Sequence, residues 1–472
     1  MRAECPHLPF LNQRSFQLKI VIVGAGEVGF HIASRLAVEN KDVVIIDNHA
    51  ESLRRVSDSI DVQVISGSGS SPVVLEEAGI KDAEILLAVT NKDETNLVAC
   101  LVADILSPST KKLARIRGSD YDKYHENFRI NAPHIDTIIN PEVEAVRTIE
   151  RLMSVPGAVD IGEFAGGRVK LVGIQLDRED TRMAGIPLAK LPSILGKPLP
   201  LIAAVIRNEE LIIPTGNDCL MRGDTFYFIS KEENLLDTLK IFNKHAEPVR
   251  RVLIVGGGRI GLRLAEILET KSIHTKLIEK NAQRCAFLAE RLNKTVVLCG
   301  DGSDQNLLNE ENIRDTDVAV TLTDDEESNI LTSLLIKRMG AKKTITKISK
   351  FSYFPLMSAI GIEQVVDPRL SAINSILQHI RRGKVLSAKT IKGEEAEVME
   401  AVALETSDIV GKPLKNISFP KGALVVSIIH EDNITIPTGD SVIAPNDRII
   451  LFARKEAIHK MEKILEVKLE YF

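Results

Sequence analysis

The run Lys19-Ile-Val-Ile-Val-Gly-Ala-Gly-Glu-Val-Gly29 decides the fold. Its opening residues, rich in Val and Ile, read as a buried strand. Gly24-x-Gly26-x-x-Gly29 follows, and Val28–Val38 has the spacing of a helix. Strand, glycine-rich turn and helix in that order form a dinucleotide-binding fingerprint. The first glycine permits the tight turn, the second lets a pyrophosphate touch the backbone, and the third lets the helix lie against the sheet. The loop Gly24, Ala25, Gly26, Glu27, Val28, Gly29 then presents the free amides and positive end of a helix to phosphate. Asp47 closes the next predicted strand, Asp42–Asp47, roughly 20 residues on. A carboxylate there accepts both ribose hydroxyls and repels a 2′-phosphate. The pattern favours NAD(H), or the adenosine of ATP or ADP, over NADP.

Working outward, the same run recurs as Arg251-Val-Leu-Ile-Val-Gly-Gly-Gly-Arg-Ile-Gly261, and Glu279 follows at the spacing that separates Asp47 from Gly29. Gly67-Ser-Gly-Ser70 meets Gly300-Asp-Gly-Ser303, and Thr90-Asn-Lys-Asp-Glu-Thr-Asn96 meets Thr323-Asp-Asp-Glu-Glu-Ser-Asn329. A second repeated unit lies between: Ile212-Ile-Pro-Thr-Gly216 returns as Thr435-Ile-Pro-Thr-Gly439, and Gly185-Ile-Pro-Leu188 as Gly411-Lys-Pro-Leu414. Repeats settle architecture before any single motif does. The order is A–B–A′–B′: a flexible leader at 1–18, then units at 19–155, 156–245, 250–382 and 390–472.

Unit A alternates strands and helices, with strands expected at Asp42–Asp47, Val62–Gly67, Glu84–Thr90 and Lys111–Arg117 and a long helix at Asp93–Leu106. Such alternation implies a doubly wound parallel sheet with right-handed crossovers. Asn140-Pro141 opens a further helix, with Asn as cap and Pro at the first helical position, and Asp367-Pro368 does so in the second half. Unit B reads as a small mixed α/β domain with strands at Val169–Gln175, Leu201–Arg207, Leu211–Pro214 and Thr225–Ser230, and a hairpin turn at Arg207–Glu210. The fold class is α/β: two Rossmann-like parallel-sheet domains, each followed by a smaller mixed domain.

Composition narrows the function. Aromatics are 4% of 472 residues with no Trp, which argues against a stacking platform for single-stranded nucleic acid. A net charge of −5 argues against a general nucleic-acid or anionic-membrane binder. The apolar stretches Ile85–Val89, Leu199–Ile206 and Ala423–Ile429 fall far short of the ~20 residues of a membrane-spanning helix. Five cysteines without a C-x-x-C fit a reduced compartment, and Cys100 and Cys285, among apolar neighbours in helix-like segments, read as buried inert thiols.

Further residues fall beyond the carboxyl ends of the predicted strands, where such sheets bind ligands. Ser68 faces a ribose or is an ordinary turn serine. Thr90 and Asn91 contact a ligand or cap the following helix. Arg115, a charge inside a strand, meets a phosphate or a structural carboxylate. The acidic run Asp324–Glu327 reads as a solvated helix N-terminus rather than a cation site. The small partner units carry no general acid or base constellation, so the nucleotide reads as a signal and the chain as no enzyme. A soluble NAD-dependent oxidoreductase with duplicated Rossmann domains is the alternative.

The A–B–A′–B′ order, Val23–Gly29 with Asp47, Asp93-Glu-Thr-Asn96 and the Ile-Pro-Thr-Gly signature resemble the regulatory subunits of bacterial Trk potassium uptake systems, built from tandem RCK (regulator of potassium conductance) domains. The resemblance covers Lys19 to about the C-terminus. It implies a cytoplasmic subunit that binds NAD(H), with ATP or ADP as further ligands. It also implies a homotetrameric ring, paired through the helices after Pro141 and Pro368. That ring would sit peripherally at the inner face of the plasma membrane on an integral, TrkH-like potassium-translocating partner, with no insertion of its own; a regulator of potassium efflux is a related reading. The family's nucleotide residues fall on Gly24–Val28, Asp47, Ser68, Thr90, Asn91 and Arg115. In the second half they fall on Gly256, Gly257, Gly258, Arg259, Ile260, Gly261 and Glu279. There Lys347 stands where Arg115 stands and Asp324 where Asn91 stands, and both departures weaken the phosphate contacts expected in that half.

Overall fold

The computed structural model describes residues 18–39, 41–155, 157–176, 183–196, 199–244, 248–350, 353–362, 364–380, 385–391 and 395–465; the expected leader lies outside them except for Leu18. The chain divides into two compact units, Met1–Ile139 and Asn140–Phe472.

The first unit runs β1 (Lys19–Val23), α1 (Glu27–Val38), β2 (Asp42–Asp47), α2 (Ala50–Ser59), β3 (Gln63–Ser66), α3 (Pro72–Glu77), β4 (Ile85–Ala88), α4 (Asp93–Leu106), β5 (Lys111–Arg115), α5 (His125–Ile130) and β6 (Thr137–Ile139). Its sheet has the order β3-β2-β1-β4-β5-β6 and every pairing is parallel. β1 and β4 are buried almost throughout, which is why they read as unbroken apolar runs rather than alternations. Strand order reverses between β1 and β4, and the crevice outside their carboxyl ends is where a ligand fits. β6 was not expected; three residues, two of them half-buried, give no periodic signal.

The second unit opens with α6 (Pro141–Ser154). The Asn140 Oδ1 accepts the Glu142 amide at 3.0 Å and Pro141 takes the first helical position, as the sequence indicated. The apolar stripe of α6 (Ala145, Val146, Ile149 and Leu152) packs into the core of the second parallel sheet. The helix that ends the first repeat thus covers the second.

That sheet is built from β12 to β17 below; the small domain ahead of it comprises β7 (Ala158–Phe164), β8 (Val169–Gln175), α7 (Leu191–Leu195), β9 (Ile202–Arg207), β10 (Glu210–Ile212), β11 (Thr225–Lys231) and α8 (Leu235–Ile241). Its antiparallel order is β10-β9-β11-β8-β7, with the expected hairpin joining β9 to β10. β7 was missed because Asp160, Gly162 and Glu163 interrupt its apolar residues.

The second repeat continues through β12 (Arg251–Val255), α9 (Arg259–Thr270), β13 (His274–Glu279), α10 (Ala282–Arg291), β14 (Val296–Cys299), α11 (Gln305–Glu310), β15 (Val318–Thr321), α12 (Glu326–Arg338), β16 (Lys343–Lys347), α13 (Phe354–Ala359) and β17 (Gln364–Val366). The order β14-β13-β12-β15-β16-β17 repeats the first sheet strand for strand. α14 (Pro368–Ile380) then pairs with α6, bringing the Thr148 and Ser371 hydroxyls within 3.4 Å.

The last domain holds β18 (Val385–Ile391), β19 (Ala396–Val402), β20 (Ala423–His430), β21 (Asn433–Thr435), β22 (Arg448–Arg454) and α15 (Lys455–Leu465), in the order β18-β19-β22-β20-β21. The two five-stranded sheets share one core: Phe164, Leu171 and Tyr227 of the first lie with Val398, Ile450 and Phe452 of the second.

Candidate nucleotide sites at the two glycine loops

The loop after β1 is fixed by sterics. Gly24 has φ +113°, and a Cβ there would stand 2.9 Å from the Thr90 amide nitrogen. A Cβ on Gly29 would stand 1.8 Å from the Gly24 carbonyl oxygen, so α1 can reach the sheet only without one. Gly26 has nothing within 4 Å of its Cβ position. That open cradle is where a diphosphate can meet the backbone, and it fits the role read for the second glycine of the fingerprint. Val28 is buried and contributes only its main chain to the helix terminus.

Asp47 ends β2 and is bound into the loop. Its Oδ2 accepts the Ala25 amide at 2.6 Å, and its Oδ1 accepts the His49 amide at 2.8 Å. Arg55 on α2 braces the other side: Nη1 donates to Glu27 Oε1 at 2.6 Å and Nη2 to the Ala25 carbonyl at 3.4 Å. Ser68 is exposed just beyond β3, with its hydroxyl 2.8 Å from that of Ser70.

Thr90 and Asn91 lie past the end of β4, but neither caps α4, whose N-cap is Lys92. Instead the buried side chain of Asn96 clamps the rim. Its Oδ1 accepts the Thr90 amide at 2.9 Å and the Thr90 hydroxyl at 2.7 Å, and its Nδ2 donates to the carbonyls of Thr90 at 3.1 Å and Arg115 at 2.7 Å. Asp93 accepts the amides of Arg117 and Gly118 at 2.9 and 2.8 Å. The loop, Asp47, Ser68, Thr90, Asn91 and the half-buried Arg115 therefore all stand at the carboxyl rim of one sheet, around its switch point.

The second loop copies the first in detail. Gly256 has φ +108°, a Cβ on Gly261 would lie 2.0 Å from the Gly256 carbonyl oxygen, and Gly258 is open. Glu279 Oε2 accepts the Gly257 amide at 2.7 Å and its Oε1 accepts the Asn281 amide at 2.8 Å. The longer side chain thus makes the same two bonds as Asp47. Asn329 repeats the Asn96 clamp, bonding the Thr323 amide at 2.9 Å and the carbonyls of Thr323 and Lys347 at 3.0 and 3.2 Å. Ile260 is buried like Val28.

The charges differ. Lys347 Nζ pairs with Asp324 Oδ1 at 3.0 Å. Arg259, where the first loop has Glu27, pairs through Nε with Glu142 Oε1 on α6 at 2.9 Å. Asp301, where the first half has Ser68, is held down to about 2 by the amide and hydroxyl of Ser303 and by Lys280. The acidic run at 324–327 is a helix start, as expected: Asp325 caps α12 through the Ser328 amide at 2.6 Å.

The sequence missed the clamps and the braces. Asn96 and Asn329 occupy matching places in the repeated Thr90 and Thr323 segments, and that recurrence was the available signal. The brace gave none: in the second loop the guanidinium comes from Arg284, whose Nε donates to the Gly257 carbonyl at 2.8 Å.

Two Rossmann-type sheets, each followed by a small five-stranded sheet, define a tandem RCK fold. In agreement, the chain superposes on the GsuK channel bound to NAD with a TM-score of 0.58 at 16% identity, covering 97% of this chain and 80% of that one. The GsuK RCK domain gives 0.56 at 17% identity, covering 98% of each chain. The TrkA-N domain model matches residues 20–141 and 252–368, and the TrkA-C domain model matches 398–466. Relatives include the Trk system potassium uptake protein TrkA homolog 2 of Methanosarcina mazei, 38% identical across 95% of this chain and all of the relative. The TrkA proteins of Azorhizobium caulinodans and Halomonas elongata are 36% and 37% identical, each across 96% of this chain and all of the relative. The chain belongs to the TrkA family of Trk-system potassium uptake proteins.

Proposed function

We propose that this chain is the nucleotide-sensing regulatory subunit of a potassium uptake system. NAD(H) binds at the first glycine loop, with ATP or ADP as competing ligands, and binding gates a separate, TrkH-like membrane subunit that carries the potassium. The observation that carries the reading is the union of the open Gly26 cradle with Asp47 held 2.6 Å from the Ala25 amide. The diphosphate would lie on the amides of Gly24–Val28, the adenosine ribose on Asp47 and Ser68, and the far end of the ligand toward Thr90, Asn91 and Arg115. The second loop, with Gly256–Gly261 and Glu279, is a weaker copy. The four domains are taken as 19–155, 156–245, 250–382 and 390–472, after a leader at 1–18.

The chain acts as a regulator and not as an enzyme. Of the imidazoles beside the first site, His49 Nδ1 lies 3.1 Å from Asp47 Oδ1, at the ribose carboxylate rather than where a nicotinamide would react, and His31 Nε2 lies 3.7 Å from Glu27 Oε2. Among the described residues no helix is long and apolar enough to cross a membrane; in this reading the pore belongs to another chain. The chain is cytoplasmic and peripheral, assembled as a homotetramer. Two nucleotides shift the pore only if they prefer different ring states; a ligand that binds both equally shifts nothing.

Titration of the full chain with NADH and with ATP tests this. Saturable binding that Asp47→Ala weakens at least tenfold is expected. Failure of both nucleotides to bind, or unchanged binding in the variant, refutes the site.

A further inference from the structure

The carbonyl oxygen of Glu279 receives two donors. The Gly300 amide donates to it at 2.9 Å, and the Cys285 thiol donates to it at 3.2 Å. Cys299 precedes Gly300 and stands directly opposite Glu279 in the β13–β14 ladder. The two thiols therefore both border one residue, Glu279. Cys285 sits on α10 and is buried, whereas Cys299 ends β14 and is exposed. At the matching places of the first repeat stand Leu53 and Ser66, so the fold does not require the pair. Cys100, by contrast, is wholly buried in the first core, and burial pushes its thiol up to about 12, which leaves it inert.

We propose that Cys285 and Cys299 form a reversible dithiol–disulfide couple beneath the carboxylate of the second glycine loop. The oxidant class is a hydroperoxide. The exposed Cys299 reacts first: its thiolate sulfur attacks a peroxide oxygen, the O–O bond breaks, and the leaving oxygen departs as water or alcohol with a proton. Cys299 is then a sulfenic acid. Burial, first, and the neighbouring Cys299 thiol hold Cys285 up to about 11, so it meets no oxidant as a free thiolate and serves as the resolving partner. Its sulfur attacks the Cys299 sulfur, the S–O bond breaks, and hydroxide leaves with the thiol proton as water. Two thiols are oxidised by two electrons and one peroxide is reduced.

The cross-link also removes the Cys285 donor from the Glu279 carbonyl. Glu279 is the residue whose carboxylate holds the Gly257 amide. The disulfide therefore loosens the second loop and lowers its nucleotide affinity, a consequence that rests on the nucleotide reading above, whereas the disulfide itself does not.

The test is peptide mapping of the full chain by mass spectrometry, without reduction, after hydrogen peroxide treatment. A Cys285–Cys299 linked peptide that lacks two hydrogens and is reversed by dithiothreitol is expected, with Cys100 still a thiol. Cys299→Ser and Cys285→Ser each abolish it. Sulfinic acid on Cys299 beside a free Cys285, or cross-links only between chains, overturns the couple. ADP titration of a chain carrying Asp47→Ala, which silences the first loop, before and after oxidation reads the second step. Equal binding by the reduced and cross-linked chains overturns the link to the loop. Absence of binding in both forms counts against the nucleotide reading, while the mapped disulfide stands by itself.

Discussion

Lys347 Nζ lies 3.0 Å from Asp324 Oδ1, so the cation at the end of β16 is neutralised within its own rim. Asp324 is fully solvent-exposed, and an exposed pair of this kind contributes little to stability. Its larger effect is on an arriving phosphate, which must compete with a carboxylate for the same ammonium. In a chain carrying Asp47→Ala to silence the first loop, Asp324→Asn is expected to tighten ADP binding about three- to tenfold, the equivalent of ~1 kcal/mol. Calorimetric titration decides it; an unchanged isotherm would show that Lys347 takes no part in phosphate binding.

Asn96 is completely buried and makes four hydrogen bonds that tie the ends of β4 and β5 together. Removing it strands two part-buried carbonyls and an amide, each costing up to about 1–3 kcal/mol when unpaired. Asn96→Ala should destabilise the first unit by about 3 kcal/mol. Amide exchange should quicken at Thr90 and at 115–118 more than in the strand β2. Uniform quickening across the sheet would show that the residue serves general stability instead of holding the rim.

The glycine loop, Asp47 and the duplication were legible because each is local: a strand period, three glycines at fixed spacing, one carboxylate at a strand end. The same holds for the α6 start, where Asn140 and Pro141 carry the signal side by side. What the sequence concealed depends on distant partners. The stripe of α6 is visible in Ala145, Val146, Ile149 and Leu152, but nothing local says that it covers the sheet of the other repeat. The Arg259–Glu142 pair is hidden for the same reason, since it joins that helix to the second glycine loop. Short strands also escape notice: β6 has three residues, and β7 mixes Gly and acids into a half-buried face.

Asp367 caps α14, accepting the Arg369 amide at 2.8 Å through Oδ1, while its buried Oδ2 has no hydrogen-bond partner. Burial is the main cause that raises its carboxyl to about 6. The folded state thus holds this proton more tightly than the unfolded chain does. Its contribution to stability is greatest below about pH 4, falls as pH rises toward 6, and stays at its lowest above that. Asn140, at the same place in the first half, caps its helix as a neutral amide, with its own Nδ2 buried and without a partner. Asp367→Asn should raise stability on the order of 2 kcal/mol at pH 7.5 and add nothing at pH 4. Melting temperatures of the two chains across that range should converge at low pH; a constant gap would place the benefit outside the titration of Asp367.

The last strand of each small sheet follows a buried Asp that is met from the neighbouring strand, and the two copies differ in what meets it. Asp224 takes the permanent cation of Arg207, with Nη2 at 2.7 Å from Oδ2. Asp447 takes His430, with Nδ1 at 2.6 Å from Oδ1. Each Asp also accepts a turn amide at 2.7 Å, from Met221 and Ala444. The hydrogen bond to Asp447 is the main cause that raises the His430 ring above the usual histidine range, with the charge of Asp447 next. The sign follows from the proton held by the folded state. The charged pair stabilises fully below the unfolded value near 6.5, and that contribution is lost as pH rises through the higher folded value. The second small domain therefore carries a pH dependence near neutrality that Arg207 does not give the first. His430→Arg should remove it: amide exchange in β20 and β22 should quicken between pH 6.5 and 8.5 in the natural chain, after correction for intrinsic rates, and stay level in the variant. Equal slopes in both chains would show that Asp447 is held by its turn amide alone and that His430 contributes nothing as it titrates.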